Sequence, residues 1–238
     1  MTPVRTYTDW NKRSSDQEKQ IEPYKKYFFI CEGSNTEVWY FKKLIDLRKQ
    51  LGIHPLIDIR LMEKTGEHET LSNPKALIEF AESQKKVTAN HFDSKCDQMI
   101  VVFDADIYKK KEKQYQEILK LGQKNTIFAV TNPCFELFLL LHYENSYEDM
   151  IVSNAEDVLA NRKVGKRRYI AALFTERSGM NPKENPAIGE LAANIDVAIS
   201  QERNLNQDIE NAVGKLTSNI GKIIQEIKED KALKQVGE

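Results

Sequence analysis

The 238-residue chain has no run of about 18 apolar residues, so no membrane-spanning helix is expected. Residues Met1 to Tyr7 lead into mostly polar sequence through Gln20, without the apolar core that a secretory signal needs. Cytoplasmic residence is the expectation. Cysteine is scarce. Cys31, Cys96 and Cys134 show no C-x-x-C spacing, which argues against a zinc knuckle and a disulfide framework. Cys31 and Cys134 lie in apolar contexts and read as small core residues. Net charge is also lacking: the formal value is −1, so binding of a polyanion would have to rest on a local patch. No internal repeat or low-complexity tract stands out. What remains is an ordinary globular composition, 40% hydrophobic and 30% charged. The length suits one large domain or a domain with a substantial appendage.

Apolar periodicity divides the chain into three parts. Residues 1–22 are polar and read as a flexible arm, with a short helix near Ser15–Ile21. Residues 23–147 alternate strand and helix patterns. Strands are expected at Lys25–Cys31, Leu56–Met62 (half-buried), Gln98–Phe103 and Thr126–Thr131. Helices are expected at Thr36–Leu51, from Pro74 to about Val87, at Lys109–Leu121 and at Cys134–His142, with Glu63–Ser72 a loop. This order predicts an α/β fold, a mainly parallel sheet with helices on both faces. Residues 148–238 read as a helical C-terminal region packing on that core, with helices at Ala155–Leu159, Arg167–Phe174, Ile188–Ile199 and Leu205–Ile227 and a frayed tail from Lys228.

Two apolar strands stop abruptly at acids. Tyr27-Phe28-Phe29-Ile30-Cys31 runs into Glu32-Gly33, and Met99-Ile100-Val101-Val102-Phe103 runs into Asp104-Ala105-Asp106. Acids just past a buried strand lie at the sheet rim, where open α/β sheets bind ligands. Carboxylates gathered there repel one another unless a cation joins them. Glu32, Asp104 and Asp106 are therefore candidate ligands for Mg²⁺ or Mn²⁺, a metal class that serves phosphate chemistry. The plain alternative is that Asp104 and Asp106 open a solvated turn before Lys109-Lys110-Lys111. Asn132-Pro133 ends another strand, so the following helix starts at the same rim with Glu136 in its first turn. Glu136 reads as a fourth catalytic carboxylate or as a buried acid paired with a lysine. Glu37 can reach the site, but helix capping explains it as well. His142 reads as a structural hydrogen-bonding histidine. Arg162, Lys163, Lys166, Arg167 and Arg168 form a dense basic stretch around Gly165 and are candidate nucleic-acid contacts, with Tyr169 able to stack on a base.

These segments carry a family resemblance. Phe28 to Phe41, with Cys31-Glu32-Gly33 and Thr36-Glu37, resembles the opening motif of the RloB-like family. Phe103-Asp104-Ala105-Asp106 resembles its acidic second motif, and Thr131-Asn132-Pro133-Cys134-Phe135-Glu136 through Tyr143 its third. Leu216-Thr217-Ser218-Asn219-Ile220 is similar to a weaker C-terminal motif. The resemblance implies a Toprim-type, Rossmann-like catalytic core, with Glu32, Asp104 and Asp106 at its acidic positions. It also implies an AAA/ABC-type ATPase partner and a role in bacterial anti-phage defence by abortive infection, as a nuclease. This chain has Ala105 between the two aspartates and Thr131 where serine is usual; neither removes a ligand.

The expected function is Mg²⁺-dependent phosphodiester hydrolysis of nucleic acid, with a homodimer conceivable. Two alternatives stand beside it. One is a non-catalytic partner or regulatory subunit of the ATPase. The other is a haloacid-dehalogenase-type phosphatase, which also places D-x-D after a buried strand and uses the first Asp as nucleophile.

Overall fold

The computed structural model describes residues 5–7, 24–64 and 73–230. Strands β1 (Arg5–Tyr7), β2 (Lys25–Cys31), β3 (Ile57–Glu63), β4 (Gln98–Asp104), β5 (Thr126–Asn132) and, much later, Thr217–Ser218 form one six-stranded sheet. A short hairpin, β6 (Lys163–Val164) and β7 (Arg167–Arg168), stands apart, so Thr217–Ser218 is β8. The sheet order is β1-β3-β2-β4-β5-β8. β3, β2, β4 and β5 are parallel, and the two edge strands are antiparallel. The chain thus has the expected α/β character.

The central strands are buried on both faces because aromatic and β-branched residues fill both. Phe29, Ile100 and Ala129 point into one core, and Phe28, Val101 and Val130 into the other. On the first face lie α1 (Thr36–Asp46) and α4 (Phe135–Leu140) with residues of α5 (Ala155–Ala160), α6 (Tyr169–Ser178), α7 (Ile195–Glu202) and α8 (Ile220–Lys228). On the second lie α2 (Pro74–Gln84) and α3 (Glu112–Leu119). Asn73 caps α2, its side chain accepting from Lys75 N at 2.9 Å, with Pro74 in the first turn.

Several expectations are corrected. Arg5–Tyr7 is not part of a free arm: it pairs with β3, Tyr7 opposite Leu61, and Tyr7 Oη donates to Asp46 at 2.6 Å. The helix expected at Ser15–Ile21 lies outside the described residues, as do most of the 63–72 loop and the tail beyond Asp230. The half-buried reading of β3 fails because Asp58 is fully buried, and Arg60 Nε meets its carboxylate at 2.6 Å. Helix α1 stops at Asp46, and turns continue to Gly52. Residues 186–194 wind as a 3₁₀ helix before α7 begins at Ile195. Arg167 and Arg168 belong to β7, so α6 starts only at Tyr169.

The largest correction concerns Leu205–Ile227, where the α-helix is confined to α8 and Ile209–Asn211 makes a single 3₁₀ turn. Upstream, polar side chains take the backbone for themselves: Asp208 accepts from Glu210 N at 3.0 Å and Asn206 Nδ2 donates to Asp208 O at 2.9 Å. Gly214 adopts φ +79°. β8 then joins the sheet beside the C-terminal end of β5, pairing Ser218 with Thr131 and Thr217 with Asn132. Among the described residues no helix is long and apolar enough to cross a membrane.

Candidate active site: a carboxylate cluster at the switch point of the sheet

Counted from β2, the parallel strands lie in the order 2-1-3-4. The crossovers leave β2 and β4 in opposite directions and open a crevice at their carboxyl ends. Glu32 follows β2 there, and β4 ends at Asp104. Glu32 N still donates to Val102 O at 2.9 Å, and Glu32 Oε2 accepts from Asp104 N at 3.3 Å, so the two strand ends are joined through this side chain.

Gly33 permits the next contact. A Cβ on Gly33 would lie 2.0 Å from Glu37 Oε2. Glu37 folds back over the glycine and accepts from the backbone N–H of Gly33 and from its own. Glu37 is buried and belongs to the site rather than only to the helix start. Asp104 accepts from the Thr131 hydroxyl on the neighbouring strand. Ala105 is buried at φ −93°, ψ 1°, so the chain leaves extended geometry there. Asp106 opens a 3₁₀ turn and so lies outside the strand that Asp104 ends. Glu136 lies in the first turn of α4, 4% exposed, and Lys183 Nζ meets its Oε1 at 3.0 Å.

These carboxylates burden one another. Burial, with Glu37 and Asp106 adding to it, pushes Glu32 up to about 7. Burial also raises Asp104 well above the carboxylate range, with Glu37, Glu136 and Glu32 contributing. Burial raises Asp106, against the pull of Arg168, and raises Glu37, against the pull of Lys183. Desolvation and crowding of like charge both oppose ionisation here.

Sequence reasoning missed two cations. Lys64 donates to the Glu32 carbonyl oxygen, and burial lowers its ammonium's pKa. Lys183 lies 47 residues beyond Glu136, in a loop tied to the start of α1: Asn35 Nδ2 donates to Lys183 O at 3.2 Å and Thr36 Oγ1 to Pro182 O at 2.6 Å. No local spacing signals either lysine. Partial desolvation opposes the Lys183 ammonium, but Glu136 and Glu37 outweigh it and raise its pKa.

His142 has the structural role expected. Its ring is buried, Tyr40 Oη lies 2.9 Å from Nε2 and Phe138 O lies 3.0 Å from Nδ1. The carbonyl can only accept, so Nδ1 carries the proton and Nε2 accepts from the tyrosine. Burial lowers its pKa to about 4. Cys31 and Cys134 are buried, as expected.

The basic stretch forms the β6–β7 hairpin, with Gly165 at φ +59° in its turn. Arg162, Lys163, Lys166, Arg167 and Arg168 are all exposed. Arg168 acts on Asp106, and Lys109 lies near the same carboxylate. Tyr169 is half-buried and packs against the core.

The C-terminal motif braces this rim. Asn219 lies alongside β5 as a strand's peptide group would, accepting from Val130 N at 2.7 Å and donating to Phe128 O at 2.8 Å. Asn132 Nδ2 donates to Ala212 O at 2.9 Å and Lys215 O at 2.7 Å. The strand that carries Thr131 and leads into α4 is thereby tied to the C-terminal segment.

Hard oxygen donors crowded beyond what their hydrogen bonds relieve suit a divalent cation chemically. Among the described residues no three His, Cys, Asp or Glu side chains form a preassembled metal cage. Mg²⁺ does not require one, since it takes one or two carboxylates and keeps several waters.

Fold and rim together define a class: an open α/β sheet with an acidic cluster at its switch point. A family model described as RloB-like protein matches residues 27–227, and the chain belongs to that family. No curated protein and no solved structure matches it.

Proposed function

We propose that this RloB-like chain is a metal-dependent nuclease with a Toprim-type core, hydrolysing phosphodiesters with Mg²⁺ or Mn²⁺. The supporting observation is the convergence of Glu32, Asp104, Asp106 and Glu136 at one crevice, with burial and mutual repulsion raising the first three. A bound divalent ion supplies Lewis acidity at a phosphoryl oxygen and lowers the pKa of a coordinated water. Of Glu32, Asp104 and Asp106, one or two would ligate it directly and the rest would meet its waters. Glu136, ion-paired with Lys183, would accept a proton from the attacking water. The exposed β6–β7 hairpin supplies cations for the polynucleotide backbone. In this reading the protein works in the cytoplasm, in anti-phage defence, and an AAA/ABC-type ATPase partner restrains or licenses cleavage.

The test is cleavage of plasmid DNA and of RNA with Mn²⁺, with and without the partner ATPase, by wild type and by a Glu32→Gln, Asp104→Asn double variant. Wild type should cut. The double variant should not cut, while unfolding at an unchanged or higher temperature. Equal cleavage by both would sink the proposal. Among the described residues there is no preassembled cage, which favours a second reading, a regulatory subunit of the same ATPase. That reading predicts co-purification with the ATPase and no metal-dependent cutting under any condition.

A further inference from the structure

A cavity of about 270 Å³ opens beside the carboxylate cluster, with Asp106 in its lining. Pro133, Leu159, Ala160 and Val213 give it apolar walls, and Lys109 and Arg168 line it too. We propose that this cavity is a subsite for one unpaired nucleotide. Its phosphate would meet Lys109 and Arg168 and its base would enter the apolar part, so the polynucleotide that reaches Asp106 is single-stranded.

Four observations carry the inference. The first is size: the volume falls just under the roughly 300–1,000 Å³ of ordinary ligand pockets, room for a ligand as small as one base. The second is chemistry. Both cations are exposed, and Arg168 spends one N–H on Asn161 O at 3.3 Å, leaving donors for a phosphate. Glu156 also lines the cavity; a carboxylate disfavours phosphate and can accept from a base amino group.

The third is rigidity. Asn132 pins the 212–215 loop through its two bonds, and Asn161 Oδ1 accepts from Ile170 N at 3.1 Å, so the walls are formed before any ligand arrives. The fourth is position. Asp106 belongs both to the cavity lining and to the acidic cluster, which puts a phosphate held there beside the acids. A paired base cannot enter without leaving its stack, an unstacking cost of a few kcal/mol that single strands do not bear.

The inference rests on the nuclease reading of the neighbouring acids, but its test does not need cleavage. Full-length protein in EDTA is titrated with a fluorescent single strand of about 12 nucleotides, as DNA and as RNA, and with the matching blunt duplex. The single strand should bind at least about tenfold tighter than the duplex. Ala160→Trp should abolish that preference and leave duplex binding unchanged. Val213→Trp, from another wall, should do the same, which covers the case in which Ala160→Trp does not fold. Arg168→Ala should weaken both ligands. Equal affinity of single strand and duplex in wild type would overturn the subsite, as would a full preference in both filled variants. The DNA and RNA arms decide which polymer the subsite takes. If the preference and its loss are seen but no condition gives cleavage, the nuclease reading fails and the subsite stands. If cleavage is seen and the filled variants keep their preference, the reverse holds.

Discussion

Two groups of acids in this protein, one fully buried and one half-buried at the crevice, are treated in opposite ways. Glu202, at the end of α7, is fully buried and meets four donors: Ser218 Oγ at 2.5 Å, Gly221 N at 2.9 Å, Lys222 N at 2.8 Å and Gln207 Nε2 at 3.1 Å. It caps the start of α8, and a Cβ on Gly221 would lie 2.9 Å from its Oε2. Burial raises its pKa while each hydrogen bond works against that. At the crevice, Glu32 has a single N–H at 3.3 Å and Asp104 a single hydroxyl, and neighbouring acids add to the burial. An acid that serves only the fold is saturated with donors, because an unmet buried charge destabilises. Acids left short of donors and set against one another are expected where something else arrives to complete them.

The sharpest break between the two regions is activity against stability. Asp104→Asn should lower metal-dependent cleavage by roughly a hundred- to a thousandfold and leave thermal unfolding unchanged or slightly later, since it removes like-charge crowding. Glu202→Ala should strand several buried donors and cost about 3 kcal/mol, lowering Tm by very roughly 6–12 °C. If Asp104→Asn unfolds early and Glu202→Ala does not, the contrast is inverted and the crevice acids are structural.

The same break should appear on adding metal. At a Mn²⁺ concentration near a hundred times Kd, wild type should gain about 2.7 kcal/mol, or roughly 5–10 °C in Tm. Glu202→Gln should gain as much, and Asp104→Asn much less. Differential scanning fluorimetry of the three proteins reads this directly.

The crevice side of this contrast is legible in the sequence, whereas nothing there sets Glu202 apart. The parallel strands declare themselves by apolar runs that end at Glu32, Asp104 and Asn132, and two of those ends are acidic. Their neighbours across the crevice were not legible. Lys183 reaches Glu136 only because the 179–185 loop folds onto the start of α1, a contact between distant segments with no period to announce it. β8 was hidden because Thr217–Ser218 is too short for an alternation pattern, and the residues around it have helical apolar spacing. Glu37 was ambiguous for a local reason: an acid in a first helical turn suits the dipole whether or not its side chain turns back over Gly33.

A smaller effect separates the regions by pH. Glu32 is raised to about 7 in the fold, so between its ordinary value and 7 the folded state holds a proton that the unfolded state has lost. Stability of the metal-free protein should therefore fall as pH rises through this window. Metal needs the deprotonated carboxylate, so Mn²⁺ affinity should rise over the same window. Melting curves from pH 5 to about 8, with Mn²⁺ and with EDTA, should converge at the acid end and separate toward the basic end. Curves that stay parallel would place the titrating group elsewhere.

The smallest expected change in stability belongs to Lys183. Its side chain is 64% exposed, so its ion pair with Glu136 is screened by solvent, and Lys183→Gln should shift stability by only about 0.5 kcal/mol. Its effect on charge is larger, because the ammonium acts on Glu136, Glu37 and Asp104 together. Without it the crevice is one charge more negative. If the ammonium holds a place that a divalent cation competes for, Lys183→Gln should bind Mn²⁺ several-fold more tightly by calorimetry. If it also meets the substrate's phosphate, cleavage should fall even though the metal binds better. Tighter metal with slower cutting would assign Lys183 to the substrate, whereas weaker metal would show that the lysine holds the acids in their binding geometry.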